Sequence, residues 1–167
     1  MKLNGKAHRF GDDINTDYII SGRYKFKIQD PRELAKHLME DLRPDFYKQI
    51  NNGDFIVAGS NFGCGSSREQ APLAIKYAGI SAVLAKSFAR IFFRNGINVG
   101  LMLLECDTDK INEGDSIVVD LEKMLMHNKT KGAAISIKPL PDFMLRILND
   151  GGLIEHFKKH GGFKINA

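Results

Sequence analysis

Three short apolar runs govern what this chain can fold into: Phe55-Ile56-Val57-Ala58, Ala82-Val83-Leu84-Ala85 and Leu101-Met102-Leu103-Leu104. None alternates polar with apolar residues, so a strand built from any of them must be buried on both faces. The segments between them carry helical punctuation. Residues 72–77 read as a helix ending at Gly79, and Ser87 to Asn95 as a second one stopped by Gly96. Buried strands alternating with helices predict a small parallel sheet joined by right-handed crossovers.

The flanks differ in character. Residues 2–10 predict a strand, Asp12 to Asp17 a polar loop, and Ile19 to Phe26 either a second strand or a loop. Asp30-Pro31-Arg32-Glu33 opens a helix, with Asp30 at the N-cap, Pro31 at N1 and Glu33 completing a capping box. Leu34, Leu38, Met39 and Leu42 supply its apolar stripe. Asn51-Asn52-Gly53 is a turn. Beyond the third apolar run, Ile117 to Leu121 is extended. Residues 124–127 and 134–138 flank a turn at 128–132, as added, mostly antiparallel strands. Residues 143–148 and 153–159 are helical. No repeat, low-complexity tract or linker divides residues 1–167, so one mixed α/β domain is expected.

Composition narrows the function classes. A chain of 167 residues buries roughly 70% of its unfolded surface. With 43% apolar and 26% charged residues it is neither disordered nor collagen-like. Two cysteines cannot build a disulfide scaffold, a four-cysteine zinc site or an iron–sulfur site. Cys64 and Cys106 read as reduced thiols, which points to the cytoplasm. Residues 1–11 lack the apolar core of an export signal, and no window approaches the ~20 apolar residues of a membrane helix. The net charge of +4 is spread among acids, and only Lys158, Lys159 and Lys164 cluster. That favours a solvated face or attraction of small anions over nucleic-acid binding.

The segment Gly59-Ser60-Asn61-Phe62-Gly63-Cys64-Gly65-Ser66-Ser67-Arg68-Glu69-Gln70 follows one strand and precedes a helix. Its glycines permit positive φ and close approach of a ligand to the backbone. The helix start, two hydroxyls and the planar fork of Arg68 could hold a carboxylate or phosphate. A plainer reading stands beside it: Ser66-x-x-Glu69 and Ser67-x-x-Gln70 both match a capping box. No Gly-Lys-Ser/Thr follows the glycines, their spacing is not that of a dinucleotide fingerprint, and there is no Gly-x-Ser-x-Gly elbow.

Three blocks together carry a resemblance. Asp12-Asp13-Ile14-Asn15-Thr16-Asp17-Tyr18-Ile19-Ile20, Asn61-Phe62-Gly63-Cys64-Gly65-Ser66-Ser67-Arg68-Glu69 and Lys86-Ser87-Phe88-Ala89-Arg90-Ile91-Phe92-Phe93-Arg94-Asn95 resemble, in that order, the signature of the small swivelling domain of the aconitase superfamily. A free-standing chain of this length is similar to the small subunits of its isopropylmalate-isomerase branch. The resemblance implies a β/β/α swivelling domain with a mixed sheet containing βαβ units. It implies a hydro-lyase that moves a hydroxyl between adjacent carbons by dehydration and rehydration. This chain would bind no cofactor; a [4Fe–4S] cluster would lie in a large subunit, the partner in a heterodimer or heterotetramer. The other partner would be a small dicarboxylic hydroxy acid, with no nucleic acid and no membrane.

By motif match, Ser66 would be the base, Ser67 would bind substrate, Arg68 would hold a carboxylate and Asp17 would be an active-site acid. A serine base needs cationic groups and N–H donors around its alkoxide. Tyr24-Lys25-Phe26-Lys27 corresponds to the family's substrate-selecting loop. Phe26 there favours an apolar substrate, whereas a one-residue shift would present Lys25 or Lys27 as a cation. Homoaconitase and 2,3-dimethylmalate dehydratase small subunits share these motifs, and a stand-alone carboxylate-binding module is the alternative outside catalysis.

Other candidates are weaker. Asp13, Asn15 and Asp17 imitate a calcium loop, but Tyr18 and Tyr24 stand where that loop needs glycine and glutamate. Arg90 and Arg94 share a helix face at i, i+4 and read as structural, paired with acids or at an interface. His156 and His160 have the same spacing, but no third ligand is evident in sequence, so they read as a helix-end pair without a metal.

Overall fold

In the computed structural model, which describes residues 1–24 and 26–162, the chain alternates as the apolar runs require. Strand β1 (Lys2–Arg9) leads through the short helices α1 (Thr16–Ile19), α2 (Pro31–Ala35) and α3 (Phe46–Gln49) to β2 (Phe55–Val57). Two βαβ units follow: α4 (Gln70–Tyr77), β3 (Ala82–Ala85), α5 (Arg90–Val99) and β4 (Met102–Glu105). Strands β5 (Ser116–Asp120), β6 (Leu125–Asn128) and β7 (Ala133–Ser136) precede α6 (Asp142–Asn149) and α7 (Leu153–His160).

All strands join one sheet in the order β4-β3-β2-β1-β5-β6-β7. Strands β1 to β4 run parallel, with Ala7 opposite Phe55, Phe55 opposite Ala82 and Ala82 opposite Met102. Strands β5 to β7 add antiparallel ladders, starting from Lys2 opposite Asp120. The continuous apolar runs follow from this position. Ile56, Val83 and Leu103 face one buried cluster with α1 to α5, while Phe55, Val57, Leu84 and Leu104 face a second with β5 to β7 and α6.

Several local expectations change. Asp30 does cap α2, accepting from the Arg32 N–H at 2.9 Å. Glu33 instead pairs with Lys36 at 2.8 Å, so no capping box closes. Helix α2 ends at Ala35, because Met39 takes a positive φ of 56° and its N–H turns to the Ile19 carbonyl. Leu34, Leu38 and Met39 are still buried. Gly96 does not stop α5 but lies inside it. A Cβ there would meet Leu103 Cδ1 at 2.5 Å, so glycine permits the close helix–sheet approach, and the helix ends at Gly100 with φ 80°.

Near the β1–β2 junction, buried Asp54 accepts from the N–H groups of Lys6 and Asn51 and pairs with His8 Nε2, each at 2.9 Å. Burial acts to raise its pKa, but these donors outweigh it and hold the carboxyl below its ordinary value. A depressed folded-state pKa gives stability that is complete above the unfolded value of about 3.9 and is lost as pH falls through the folded value. Asp54→Asn should therefore flatten the acid limb of urea-unfolding midpoints measured below about pH 5. An unchanged slope would remove Asp54 from that limb.

Candidate active site

The three sequence blocks converge at the carboxyl ends of the parallel strands. The Gly63 N–H donates to the Ile14 carbonyl at 2.7 Å and the Thr16 N–H to the Cys64 carbonyl at 2.9 Å, joining the first two. The Phe62 N–H donates to the Ser87 carbonyl and the Ala89 N–H to the Phe62 carbonyl, adding the third. Glycine is required where the blocks press together. Gly63 has φ 80°, and a Cβ there would lie 2.1 Å from Phe92 Cγ.

Ser66 and Ser67 do not cap a helix. The N-cap of α4 is Glu69, which makes no side-chain capping bond. Both serines are exposed in the loop before it. Thr16 Oγ1 donates to the Ser66 carbonyl at 2.9 Å and pins the backbone, while the Ser66 hydroxyl has no hydrogen-bond partner among the described residues. Asn95 Nδ2 reaches Ser67 Oγ at 3.4 Å. The backbone N–H groups of Gly65, Ser66, Ser67 and Arg68 likewise donate to none of the described residues. The free donors expected of the helix start thus lie in the loop that carries the hydroxyls.

Arg68 is held from one side. Its side chain is 11% exposed, and Nη1 pairs with Asp17 Oδ1 at 2.5 Å and donates to the Ile20 carbonyl at 3.2 Å. Nε is buried without a partner. Asp17 is placed by α1, whose N-cap Asn15 accepts from the Tyr18 N–H at 2.9 Å.

A cavity of about 700 Å³ opens beside these groups, lined by Ser66, Ser67 and Arg68 and, from the third block, by Arg90, Arg94 and Asn95. Arg90 and Arg94 are exposed and make no ion pair among the described residues, so the acid pairing expected of them is not found. Their i, i+4 spacing was visible in sequence, but the cavity they line was not. Two unpaired guanidinium groups, a third already paired with Asp17, and a run of free N–H donors would suit an anion carrying more than one charge. Cys64 is half-buried in the motif loop. Burial, reinforced by Asp107, pushes the Cys106 thiol up to about 12, so it is not a nucleophile near neutral pH.

The loop expected to select substrate is placed less directly. Phe26 is 87% exposed, Lys27 is also exposed, and neither lines the cavity. Lys25 lies outside the described residues. The loop is moored just before that point: Arg23 reaches Asp41 at 2.8 Å, and the Tyr24 hydroxyl donates to Glu40 and its ring stacks on His37 at 3.9 Å. No helix among the described residues is long and apolar enough to cross a membrane.

Residues 20–109 match the family model described as the aconitase C-terminal domain. The chain is 61% identical to 3-isopropylmalate dehydratase small subunit 2 of Archaeoglobus fulgidus, over 99% of this chain and 100% of that protein. It is 54% identical to the 3-isopropylmalate dehydratase small subunit of Methanosarcina mazei, over 94% and 97% of the two chains. Among solved structures it matches 3-isopropylmalate dehydratase of Methanocaldococcus jannaschii with a TM-score of 0.93 and 50% identity, covering 96% of each chain. Aconitase X of Thermococcus kodakaraensis matches at TM-score 0.52 and 15% identity over 83% of this chain and 91% of that one, a likeness of fold alone. The mixed α/β fold, the arginine-rimmed cavity beside the serine pair and near-full-length identity above one half agree: this chain belongs to the family of 3-isopropylmalate dehydratase small subunits.

Proposed function

We propose that the chain is the small subunit of a two-chain hydro-lyase that interconverts 2-isopropylmalate and 3-isopropylmalate, a step of leucine biosynthesis. The observation that carries the catalytic reading is Arg68, pinned through Nη1 while its buried Nε stays unpaired beside two exposed seryl hydroxyls. An arginine fixed in this way lines the cavity and can receive a carboxylate on its remaining guanidinium edge, with a small shift uncovering Nε. Asp17 sets its orientation. Ser66 takes the proton from the carbon beside that carboxylate. Its alkoxide is made accessible by Arg68, Arg90, Arg94 and the free N–H groups of the loop. Ser67, steadied by Asn95, binds the substrate. Phe26, with Lys25 and Lys27 beside it, faces the variable part of the substrate once the partner closes the site.

The chain's own residues do not fit an iron–sulfur cluster. It has two cysteines, one of them buried with a raised pKa, against the several thiolates such clusters use. The cluster expected for this chemistry accordingly belongs to a large subunit, and the departing hydroxyl is handled outside this chain.

Co-expression with cluster-bearing large subunits tests the reading. Activity is expected only in the assembled pair, with isopropylmalate preferred over the substrates of homoaconitase and 2,3-dimethylmalate dehydratase. Preference for a substrate with an extra carboxylate would overturn the substrate assignment. Tight solo binding of hydroxy acids, with no activity in any pair, would favour a carboxylate-binding module.

A further inference from the structure

The helix-end histidine pair acquires a third member in the fold. Asp150 is the C-cap of α6, and the two-glycine turn behind it, with Gly151 at φ 94° and Gly152 at φ 123°, returns the chain into α7. That reversal brings Asp150 Oδ2 to 2.7 Å from His156 Nδ1 and 2.9 Å from His160 Nε2. The three donor atoms lie within 4.8 Å of one another. None of these residues lines the arginine-rimmed cavity.

We propose that Asp150, His156 and His160 form a site for one divalent transition cation of the Zn²⁺ type, with water completing the coordination. Two imidazole nitrogens and one carboxylate oxygen are a common donor set for such ions. The site is built rather than incidental. His156 is buried, the Asp150 side chain is 7% exposed, and both ring nitrogens converge on the same carboxylate oxygen. Tetrahedral bonds of 2.0–2.1 Å set ligand atoms about 3.3 Å apart. To admit the ion, the two nitrogen–oxygen contacts would open by about half an ångström, and the two ring nitrogens, now within 4.8 Å, would close by up to about 1.5 Å through rotation of the half-exposed His160 ring. Lys159 is the other neighbour of this carboxylate. The ammonium reaches Oδ1 at 2.6 Å but its side chain is 65% exposed and can swing away.

The consequence is structural. Lys76 already ties the Gly151 carbonyl to the end of α5, donating to it at 3.0 Å and to the Val99 carbonyl at 2.7 Å. A cation at Asp150 would fasten α7 to the same turn and lock the two C-terminal helices onto α5.

The test is titration of the chelator-stripped full chain with Zn²⁺ alone, followed by calorimetry and thermal unfolding. One equivalent should bind with micromolar or tighter Kd and raise Tm by several degrees at saturation. Bound Co²⁺ should show d–d absorption without a thiolate charge-transfer band, which separates this site from Cys64. His160→Ala, at a half-exposed position, should weaken binding at least about tenfold while unfolding stays cooperative. Lys159→Met should tighten binding by removing a competing cation. Absence of saturable uptake would make the cluster a hydrogen-bond clasp and overturn the proposal. So would a thiolate band, or uptake undiminished in His160→Ala. These outcomes do not depend on isomerase activity.

Discussion

Replacing Ser66 with alanine is expected to lower kcat of the assembled enzyme by about 10²- to 10⁴-fold, the range for loss of a positioned base. KM and the Tm of the chain should change little. The separation follows from the local structure. The Ser66 hydroxyl is exposed and has no hydrogen-bond partner among the described residues, while the backbone beneath it is held by Thr16 through the Ser66 carbonyl. Alanine therefore removes a proton acceptor without disturbing a cap or a buried network. Ser67→Ala removes a hydroxyl that Asn95 also contacts and should act more on KM. Steady-state kinetics on both variants, with circular dichroism to verify folding, decides the assignment. A Ser66→Ala enzyme within a few-fold of normal kcat would place the base elsewhere, and Ser67 would be next to test.

Much of this arrangement is legible in sequence because some signals are local. The three doubly buried strands declare themselves by apolar runs, and the parallel pairing follows from the helices between them. What sequence leaves open is decided by contacts between distant residues. Whether Ser66 and Ser67 cap a helix or face a ligand depends on Thr16, some 50 positions away, and the fold resolves it against capping. Gly96 reads as a helix stop until Leu103 shows why a side chain is excluded there. Glu33 matches a capping box, yet Lys36, equally close along the chain on the other side, takes its carboxylate. Arg90 and Arg94 read as structural, paired with acids or at an interface, and only the approach of the motif loop turns their face into a cavity wall. Asp150 joins the histidines because two glycines reverse the chain, a geometry that spacing alone does not encode.

Arg68→Lys should raise KM for the hydroxy acid by about 10- to 100-fold, because a charge-assisted hydrogen bond is worth about 1.5–3 kcal/mol. Charge is retained in this variant, so the loss isolates geometry. The guanidinium spends Nη1 on Asp17 and the Ile20 carbonyl, and Nε and Nη2 make no hydrogen bond among the described residues. A planar fork can serve the protein with one nitrogen and a carboxylate with the others. An ammonium is a single point on a flexible stem; drawn to Asp17, it leaves the substrate carboxylate without a directed donor. Asp17→Asn makes the opposite change, keeping the fork but loosening its anchor. It should raise KM less than Arg68→Lys and leave a cation available to the substrate. An Arg68→Lys enzyme with unchanged KM would mean that Arg90 or Arg94 holds the carboxylate. The unpaired Nε of Arg68 would then be a cost of folding rather than a binding group.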